Sequence, residues 1–594
     1  MFAKLRPLFP YLKRYKRAFL WGGISVVLSN AIWVLFPQVI RFAIDDLNHG
    51  VTQRKILHYG LLLVLISAAK GVFLFLTRWI IIGISRDIEF DLRNDLFQHL
   101  EKQSASYYHH HRTGDIMARM TNDLNAVRQL LGPAIMYSAN TVLFSIGALY
   151  FLLRISPFLT LVALVPLPLA SILVQSLGRK IHDRFERIQA MFSEISAQAQ
   201  ENFSGARLVR AFAQEQAQIE SFEEANKENV RRGLRLIQLM GMLWPTLEFI
   251  LGLAMAVTLL VGGHEVLTHR ISVGDFVAFN TYMLMLTWPI IALGWVVNLV
   301  QRGTASVTRI HELLTEEPSI ADREDVAHVA PDLRLRGEIE FRNLSFAYDG
   351  AVGGGAAGKP VRVLDNISLK VPAGTSLAIV GPTGSGKSTL VDLLPRIHDA
   401  PRGTVLIDGL PVEDYPLQVL RANIGFVPQE TFLFSESIRE NIVFGAPGAN
   451  PESVYRAAEA AHIRSEFDEF PAGFDTMVGE RGLTLSGGQK QRTAIARAIV
   501  RDPSILILDD ALASVDTYTE EKILEHLREI MRGRTTIFIS HRISTIRHAD
   551  QIAVLVKERI VALGTHEELL SSGKFYASLY QKQQLEEELT SAGV

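Results

Sequence analysis

The chain has 594 residues, of which 48% are hydrophobic, a high fraction for a protein that is soluble throughout. Lysine and arginine together number 60 and aspartate and glutamate 62, so the net charge gives no argument for a nucleic-acid partner. There is no cysteine, which excludes disulfides, thiol nucleophiles and thiolate metal sites. The composition therefore indicates a chain that lies partly in lipid.

Six long apolar segments fall before about residue 300, and each can cross a bilayer as a helix of roughly 20 residues. They lie near 18 to 40, 57 to 80, 131 to 153, 157 to 178, 240 to 262 and 276 to 300. The basic N-terminus lacks a cleavage site after a short apolar core, so we expect it to stay in the cytoplasm. The links after the second and fourth segments are long, polar and helix-patterned, and they should extend the helices into the cytoplasm.

Two charged residues, Lys70 and Glu248, interrupt these apolar segments. Counting 1.5 Å per residue, both lie about 20 Å from the outer edge of the membrane. An unpaired charge at that depth costs roughly 2.5 to 3.5 kcal/mol on insertion scales. We expect both to face protein or a cavity, either paired with each other or each in contact with water.

From about Gly337 onward, short β-branched runs alternate with helical patterns, which is typical of an α/β domain with a buried sheet. The runs are EIEFRNLSFAY, TSLAIVG, GTVLIDG, ANIGFVP, SILILDD, TTIFISH and QIAVLV. We therefore predict a membrane domain over 1–315, a polar linker over 316–336, the α/β domain over 337–580 and a polar tail over 581–594. Residues 351–360, AVGGGAAGKP, are expected to form a flexible loop between two strands.

A phosphate-binding loop is predicted for GPTGSGKST, which follows the strand SLAIV and precedes a helical pattern. Glycines let backbone N–H groups surround the phosphates, Lys387 reaches the β and γ groups, and the Ser388 hydroxyl can ligate Mg²⁺. The expected nucleotide contacts are Gly381, Pro382, Thr383, Gly384, Ser385, Gly386, Lys387, Ser388 and Thr389.

The strand ILIL then ends in Asp509, where an acid would hold that magnesium ion through water. These two motifs alone indicate only a nucleoside triphosphatase. A further motif, LSGGQKQR at 485–492, begins a helical stretch and predicts a second anion site. Because the chain already has one phosphate loop, this second site should serve another nucleotide.

With these motifs in this order, the chain resembles an ATP-binding cassette (ABC) exporter of the half-transporter type. The resemblance covers almost the whole chain. It implies an all-α membrane domain of six spanning helices fused to an α/β P-loop ATPase domain of the ABC type. It also implies a multi-pass protein of a bacterial cytoplasmic membrane, with the ATPase domain in the cytoplasm.

The resemblance assigns further roles by position. Tyr348 resembles the aromatic residue that stacks on adenine, Gln429 the residue that contacts Mg²⁺ and the attacking water, and His541 the residue that contacts the γ-phosphate. Residues 513–516, ASVD, match the loop that crosses the dimer interface. The residues expected to close over ATP held by the other subunit are Ser486, Gly487, Gly488 and Gln489.

Two cytoplasmic segments, 107–124 and 205–216, resemble the family's coupling regions. The first contains His109, His110 and His111, which suggest a metal site at first sight. Consecutive residues cannot all face one ion, so we favour an ordinary helical turn over metal binding.

Asp510 stands where the family usually has the glutamate that polarises the attacking water, and it is the expected catalytic acid of this chain. Its shorter side chain favours a heterodimer in which this chain's own motifs form a slow, degenerate ATP site. A homodimer with a functional aspartate base remains the alternative.

The predicted function is ATP-driven export or flipping of lipids, drugs or other amphipathic compounds by a dimer of half-transporters. The expected partners are a second half-transporter, membrane lipid and an amphipathic substrate, and no nucleic acid. An importer is disfavoured because the membrane domain precedes the ATPase on one chain, and a membrane sensor or scaffold with a regulatory ATPase domain is the second class.

Overall fold

The chain divides into two compact units in the computed structural model. One unit comprises Met1–Gln98 and Gly114–Thr315, and the other comprises His99–Thr113 and Glu316–Val594. The structure describes residues 2–48, 50–323, 326, 330, 332–352, 360–479, 482, 484–513, 517–572 and 575–591.

Helices account for nearly all of the described chain up to residue 315. They are α1 Phe9–Arg14, α2 Lys16–Val34, α3 Phe36–Asn48, α4 Gln53–Leu100, α5 Ala105–His110, α6 Thr113–Ala118, α7 Leu124–Gln129, α8 Ile135–Ile155, α9 Pro157–Leu164, α10 Pro166–Ser204, α11 Ala206–Ala211, α12 Glu215–Leu267 and α13 Val273–Thr315. A 3₁₀ helix covers Phe2–Leu8, and π-helical turns cover Arg119–Asp123 and Leu130–Ala134. The 53 residues of α12 span about 80 Å at 1.5 Å per residue, far more than a bilayer core of about 30 Å. Helices of this length leave room for the predicted extension beyond the membrane, which stays a prediction.

Five stretches of the described chain are long and apolar enough to cross a membrane: Lys16–Asn48, Gln53–Leu100, Thr113–Ile155, Glu215–Leu267 and Val273–Thr315. They correspond to five of the six predicted segments. The remaining segment, 157 to 178, forms α9 and the beginning of α10. Side chains at 167–171 and 173–175 in that segment lie outside the described residues.

The core of the helical unit includes side chains of α2, α8, α9 and α13. Phe279 and Tyr282 of α13 are completely buried there. Tyr282 stacks on Phe151 with ring centroids 5.8 Å apart, and its hydroxyl donates to the Val34 carbonyl at 2.7 Å. A buried tyrosine needs such a hydrogen-bond partner, because an unpaired hydroxyl in an apolar core is costly.

Lys70 contacts protein, as predicted, but not through Glu248. Its Nζ lies 4.2 Å from the ring centroid of Trp33 on α2, a cation–π contact. Glu248 is exposed in the single chain, and no ion pair joins it to Lys70 within the part of the chain that the structure describes. The indole face provides a contact for the ammonium group without a second charge.

The second unit contains two sheets. Its strands are β1 Ile339–Val352, β2 Pro360–Val371, β3 Ser376–Val380, β4 Val405–Ile407, β5 Leu410–Pro411, β6 Ile424–Val427, β7 Ile505–Asp509, β8 Thr535–Ile539, β9 Gln551–Val556 and β10 Arg559–Gly564. One sheet has the order β2-β1-β4-β5 and is antiparallel, and the other has the order β10-β9-β3-β8-β7-β6. Strands β9, β3, β8, β7 and β6 are parallel to one another. All seven predicted β runs are strands, so the α/β class is confirmed.

The helices of this unit from residue 387 onward are α14 Lys387–Asp392, α15 Leu417–Ala422, α16 Ile438–Val443, α17 Pro451–Ala460, α18 Arg464–Asp468, α19 Gly487–Ile499, α20 Thr517–Met531, α21 Ile543–Ile546, α22 His566–Ser571 and α23 Phe575–Ser591. Every residue of β7 and β8 is buried, as expected for parallel strands covered on both faces. Helix α23 continues through most of the predicted polar tail.

The predicted linker contains neither helix nor strand among its described residues. The last residue of the linker is nevertheless hydrogen-bonded to the second unit. The Asp408 carboxylate accepts hydrogen bonds from the backbone N–H groups of Arg336, Gly337 and Glu338 at 2.7, 3.0 and 2.9 Å.

In the predicted glycine-rich loop, β1 extends to Val352 and β2 begins at Pro360, and residues 353–359 lie outside the described part.

Candidate functional site

The predicted site residues that follow parallel strands converge at one edge of the sheet. Gly381 follows β3, Gln429 lies two residues beyond β6, Asp509 ends β7 and His541 lies two residues beyond β8. The carboxyl ends of parallel strands meet at one edge of a sheet, which is where open α/β sheets bind ligands. A cleft of about 190 Å³ lies at this edge. It is lined by Val363, Thr383, Gly384, Gly386, Lys387, Ser388, Thr389, Gln429, Asp509, Asp510, Ile539 and His541.

Backbone geometry explains two glycines of the phosphate loop. Gly386 has a φ of 96°, a left-handed conformation that L side chains rarely adopt. A Cβ on Gly381 would lie 2.0 Å from the Leu555 carbonyl oxygen, so β9 leaves no room for a side chain. The sequence pattern therefore reflects both a turn and a close approach of the loop to the sheet.

Lys387 is buried in this loop and its ammonium group donates to two carbonyls of the same loop. The distances are 3.0 Å to Gly381 and 2.8 Å to Pro382. Burial lowers the pKa of Lys387, and the carboxylates of Asp509 and Asp510 oppose that shift. A buried ammonium group whose desolvation is only partly offset by nearby carboxylates is well suited to bind an anionic phosphate.

The electrostatics of Asp509 complement those of the lysine. Burial raises the pKa of Asp509, and repulsion from Asp510 adds to the effect, whereas a hydrogen bond from Ser388 opposes it. The charged form of Asp509, which is 3% exposed, is destabilised in this way and would gain from a cation placed beside it.

Asp510 occupies an unusual backbone conformation at the end of β7. Its φ is 47°, in the left-handed region, and its N–H donates to the Ile539 carbonyl at 3.0 Å. Its side chain is half-buried and lines the cleft together with Gln429 and His541. Positive φ at a residue other than glycine is uncommon and concentrates at functional sites.

Tyr348 lies beside the phosphate loop and does not line the 190 Å³ cleft. Its hydroxyl is 2.9 Å from the Thr389 hydroxyl, and its ring makes an edge contact with His398 at 5.1 Å between centroids. It lines a neighbouring, wider cleft within the same unit. Gly381, Pro382 and Ser385 also lie outside the cleft lining.

The LSGGQ residues cap a helix on another surface of the unit. Ser486 is the N-cap of α19: its hydroxyl accepts the Gln489 N–H at 3.3 Å, and the Gln489 side chain accepts the Ser486 N–H at 3.0 Å. Ser486 and Gly487 are exposed, and Gly488 and Gln489 are partly exposed. None of the four lines the cleft around Lys387, so within one chain the second predicted anion site stays separate from the first.

Glu466 supports this cap from α18. Its carboxylate accepts a bidentate pair of hydrogen bonds from Arg492 at 2.6 and 3.1 Å and one from the Gln489 amide at 3.1 Å. Burial raises the pKa of Glu466, but the hydrogen bonds from Arg492 and Gln489 outweigh it and the net pKa is lowered. Sequence reasoning missed this residue, because nothing in its local pattern links α18 to α19.

Asp392 was also missed by sequence reasoning. Burial, together with the charge of Asp509, raises the pKa of this carboxyl to about 6. It lies in α14, five residues after Lys387, and the pattern TLVD gives no sign that its acid is half-buried.

Two of the three consecutive histidines, His110 and His111, make separate contacts. His110 Nδ1 is 2.8 Å from the Ser106 carbonyl, and His111 Nδ1 is 3.1 Å from that of Tyr107. His111 also stacks on Tyr107 at 4.2 Å between centroids.

Of the predicted interface loop ASVD, only Ala513 is within the described residues; Ser514, Val515 and Asp516 are not.

The fold and the motif geometry define an ATPase of the ABC class behind a helical membrane domain. The family described as ABC transporter transmembrane region matches residues 19–290, and the family described as ABC transporter matches residues 364–513. The chain belongs to the ABC transporter family and has the half-transporter architecture of its exporters.

Several full-length bacterial proteins are similar to this chain. "Uncharacterized ABC transporter ATP-binding protein YknU" of Bacillus subtilis is 36% identical, with 96% of each chain covered. "Probable multidrug resistance ABC transporter ATP-binding/permease protein YheI" of the same species is 35% identical over 98% of each chain. An "ATP-dependent lipid A-core flippase" of Syntrophus aciditrophicus is 35% identical, covering 94% of this chain and 91% of that protein.

A solved structure of a bacterial Atm1-family ABC exporter with ATP bound shares the fold. Its TM-score is 0.78 at 29% identity, and the match covers 96% of this chain and 98% of that one. The protein is therefore a multi-pass membrane exporter whose cytoplasmic ATPase domain binds ATP and couples its hydrolysis to transport.

Proposed function

We propose that this chain is one half of a heterodimeric exporter of lipids, drugs or other amphipathic compounds, and that its own Walker motifs form the slow ATP site. The observation that carries the proposal is Asp510 at the end of β7, where the family's glutamate is expected. Aspartate has one methylene fewer, so its carboxylate ends about 1.5 Å short, and an error near 1 Å can cost about a hundredfold in rate.

The backbone gives little scope to compensate for the shorter side chain. Asp510 directly follows Asp509, whose position is set by parallel pairing with Ile539 on β8. The Asp510 N–H is itself bonded to the Ile539 carbonyl. Moving the Asp510 carboxylate toward the phosphates would therefore break pairing in the middle of a buried sheet.

The remaining residues of the cleft suit MgATP. Ser388, Gln429 and Asp509 supply a hydroxyl, an amide oxygen and a carboxylate, the hard oxygen ligands that Mg²⁺ prefers. Bound there, the ion would neutralise charge on the β- and γ-phosphates. Lys387 would exchange its loop carbonyls for phosphate oxygens, and His541 would hold the γ-phosphate.

The complete signature supports the heterodimer. Ser486, Gly487, Gly488 and Gln489 form an intact and accessible helix N-terminus, which can complete a competent ATP site on a partner subunit. The partner should then carry glutamate at the position equivalent to Asp510 and a departure from LSGGQ in its own signature. The similarity to proteins named as multidrug transporters and lipid A-core flippases supports an amphipathic substrate.

Transport into inside-out vesicles tests the exporter. Vesicles that contain this chain with a second half-transporter should accumulate an amphipathic dye or labelled lipid in an ATP-dependent, vanadate-sensitive way. Vesicles with Ser486→Ala in this chain should accumulate less, because under this proposal Ser486 completes the competent ATP site on the partner subunit. ATP-dependent conformational change without any flux, across a panel of lipids, dyes and peptides, would instead indicate a sensor or scaffold.

A further inference from the structure

A second cleft lies in the ATPase unit between α20 and the sheet, with a volume of about 250 Å³. Leu524 and Leu527 of α20 form its apolar wall together with Leu508 and Phe538 of the strands. An apolar cavity of about 150 Å³ is sufficient for benzene, so this one can take a larger apolar group.

The cleft is elongated along β8. It reaches Arg534 at the amino end of that strand and Ser540 at its carboxyl end. A strand of five residues is roughly 16 Å long at 3.3 Å per residue. This shape fits an extended chain or a flat ring system better than a compact polar metabolite.

One side of the cleft is cationic. Arg528 and Arg532 line it and are exposed, and neither has a carboxylate partner among the residues that the structure describes. The nearby carboxylate of Asp550 is already engaged, because it accepts the N–H and the hydroxyl of Ser376 at 2.8 and 2.7 Å. Two guanidinium groups therefore remain to pair with an anionic group on a ligand.

The cleft shares a wall with the nucleotide site. Asp510 and Ile539 line both clefts, and Ala511 and Leu512 continue the wall of the second one. The hydrogen bond between the Asp510 N–H and the Ile539 carbonyl crosses this shared wall. A ligand packed against Ala511 and Leu512 would thus press on the backbone that positions the acid.

We propose that this cleft binds an anionic amphiphile, with its apolar body under α20 and its charge at Arg528 and Arg532. When occupied, the site slows ATP hydrolysis by shifting Asp510, and it does so without competing with ATP. The site is separate from any transport pathway through the membrane helices, since every lining residue belongs to the ATPase unit.

Photolabelling tests the site without relying on turnover. The full chain in nanodiscs of zwitterionic lipid is irradiated with a diazirine derivative of decanoate, and labelled peptides are mapped by mass spectrometry. We expect label within residues 505–550, weakened by Leu527→Trp, which fills the cleft, and by Arg528→Ala, which removes the charge. Label confined to the membrane helices, or label in 505–550 that neither variant changes, would overturn the proposal.

ATP turnover by the same preparation tests the effect on Asp510. Decanoate should lower kcat and leave the KM for ATP unchanged, and uncharged decanamide should act much more weakly. Arg528→Ala should raise the half-inhibiting decanoate concentration about tenfold, the size expected for one charge-assisted hydrogen bond. Lys522→Ala removes a positive charge from the same helix outside the cleft and should change neither turnover nor inhibition. Competition with ATP, or equal inhibition by decanamide, would contradict the proposal.

Discussion

Lys387 is the residue on which nucleotide binding depends most directly. It is the cation that lines the 190 Å³ cleft from the phosphate loop, and it is already held toward the loop carbonyls. We predict that Lys387→Ala, in the chain purified without a partner, weakens ATP binding and lowers ATP hydrolysis roughly a hundredfold or more, as expected when a preorganised charge on the transferring phosphoryl group is lost. ATPase assays and titration with a fluorescent ATP analogue measure both effects.

Lys370→Ala is the matched control for that substitution. Lys370 is an exposed lysine of β2 that pairs with Glu338 at 3.3 Å. Turnover should be unchanged in this control, and unchanged turnover in Lys387→Ala would contradict the assignment of residues 381–389.

Asp392 should make stability depend on pH in an unusual direction. Its folded pKa of about 6 is above the ordinary value of 3.8, so the folded state holds the proton more tightly than the unfolded chain. The half-buried carboxylate therefore destabilises the protein above about pH 6, and this cost disappears as the pH falls from 6 to 3.8.

We accordingly predict that Asp392→Asn stabilises the protein at pH 8, by on the order of 1 kcal/mol once screening is allowed for. The gain should shrink steadily as the pH is lowered toward 4. Thermal unfolding at a series of pH values measures it, with Asp468→Asn on exposed α18 as a control that shows no such trend. A gain that is the same at pH 8 and pH 4 would refute this explanation.

At the scale of elements, two capping boxes in the described part of the ATPase unit allow stability to be separated from function. Ser486 caps α19 and Thr565 caps α22 with the same reciprocal pattern of hydrogen bonds. Loss of an N-cap side chain costs about 1 kcal/mol. We predict that Ser486→Ala and Thr565→Ala lower the melting temperature by similar amounts, and that only Ser486→Ala slows ATP turnover in the functional dimer. Equal loss of turnover in the two variants would mean that Ser486 acts only by stabilising its helix.

The pair Lys70 and Trp33 links two membrane helices. A desolvated cation–π contact is worth up to about 2 kcal/mol. We predict that Lys70→Ala and Trp33→Ala are not additive in a double-mutant cycle of thermal stability, whereas Lys70→Ala and Glu248→Ala are additive. Additivity of the first pair, or rescue by swapping the charges of the second, would favour the ion pair that sequence depth suggested.

Much of the fold follows from periodicity alone. Apolar length predicts the membrane helices, and the seven β-branched runs correspond to seven strands. The division of those strands into two sheets does not follow from the sequence, because strand order depends on pairing between segments far apart in the chain. The grouping of His99–Thr113 with the ATPase unit could not be predicted either, because in the sequence that segment belongs to the polar, helix-patterned link after the second apolar segment.

The candidate site also has residues that the sequence predicts and residues that it does not. The phosphate loop and Asp509 could be predicted because their chemistry is encoded in short motifs. Glu466 and Asp392 could not, because the pKa of each depends on burial and on partners that only the fold supplies. The left-handed φ of Asp510 also escaped prediction, because aspartate does not require it.

At the scale of the whole molecule, one chain carries a helical membrane domain and an ATPase domain. Under our proposal this ATPase needs a second, different chain to hydrolyse ATP quickly. The ATP cleft brings together Lys387, Gln429, Asp509 and His541, and under our proposal its acid, Asp510, is too short for fast hydrolysis. The signature that would serve the partner is intact. The slow step in a dimer of identical chains should therefore be hydrolysis and not ATP binding.

The most direct test is the ATP turnover of the purified chain alone in lipid nanodiscs, compared with Asp510→Glu. Asp510→Asn provides the background rate, because it removes the acid and keeps its size. The account predicts slow turnover in the wild type and a gain of about a hundredfold from Asp510→Glu, since the longer side chain restores the reach of the carboxylate. A stable homodimer that hydrolyses ATP briskly, and gains little from Asp510→Glu, would contradict it.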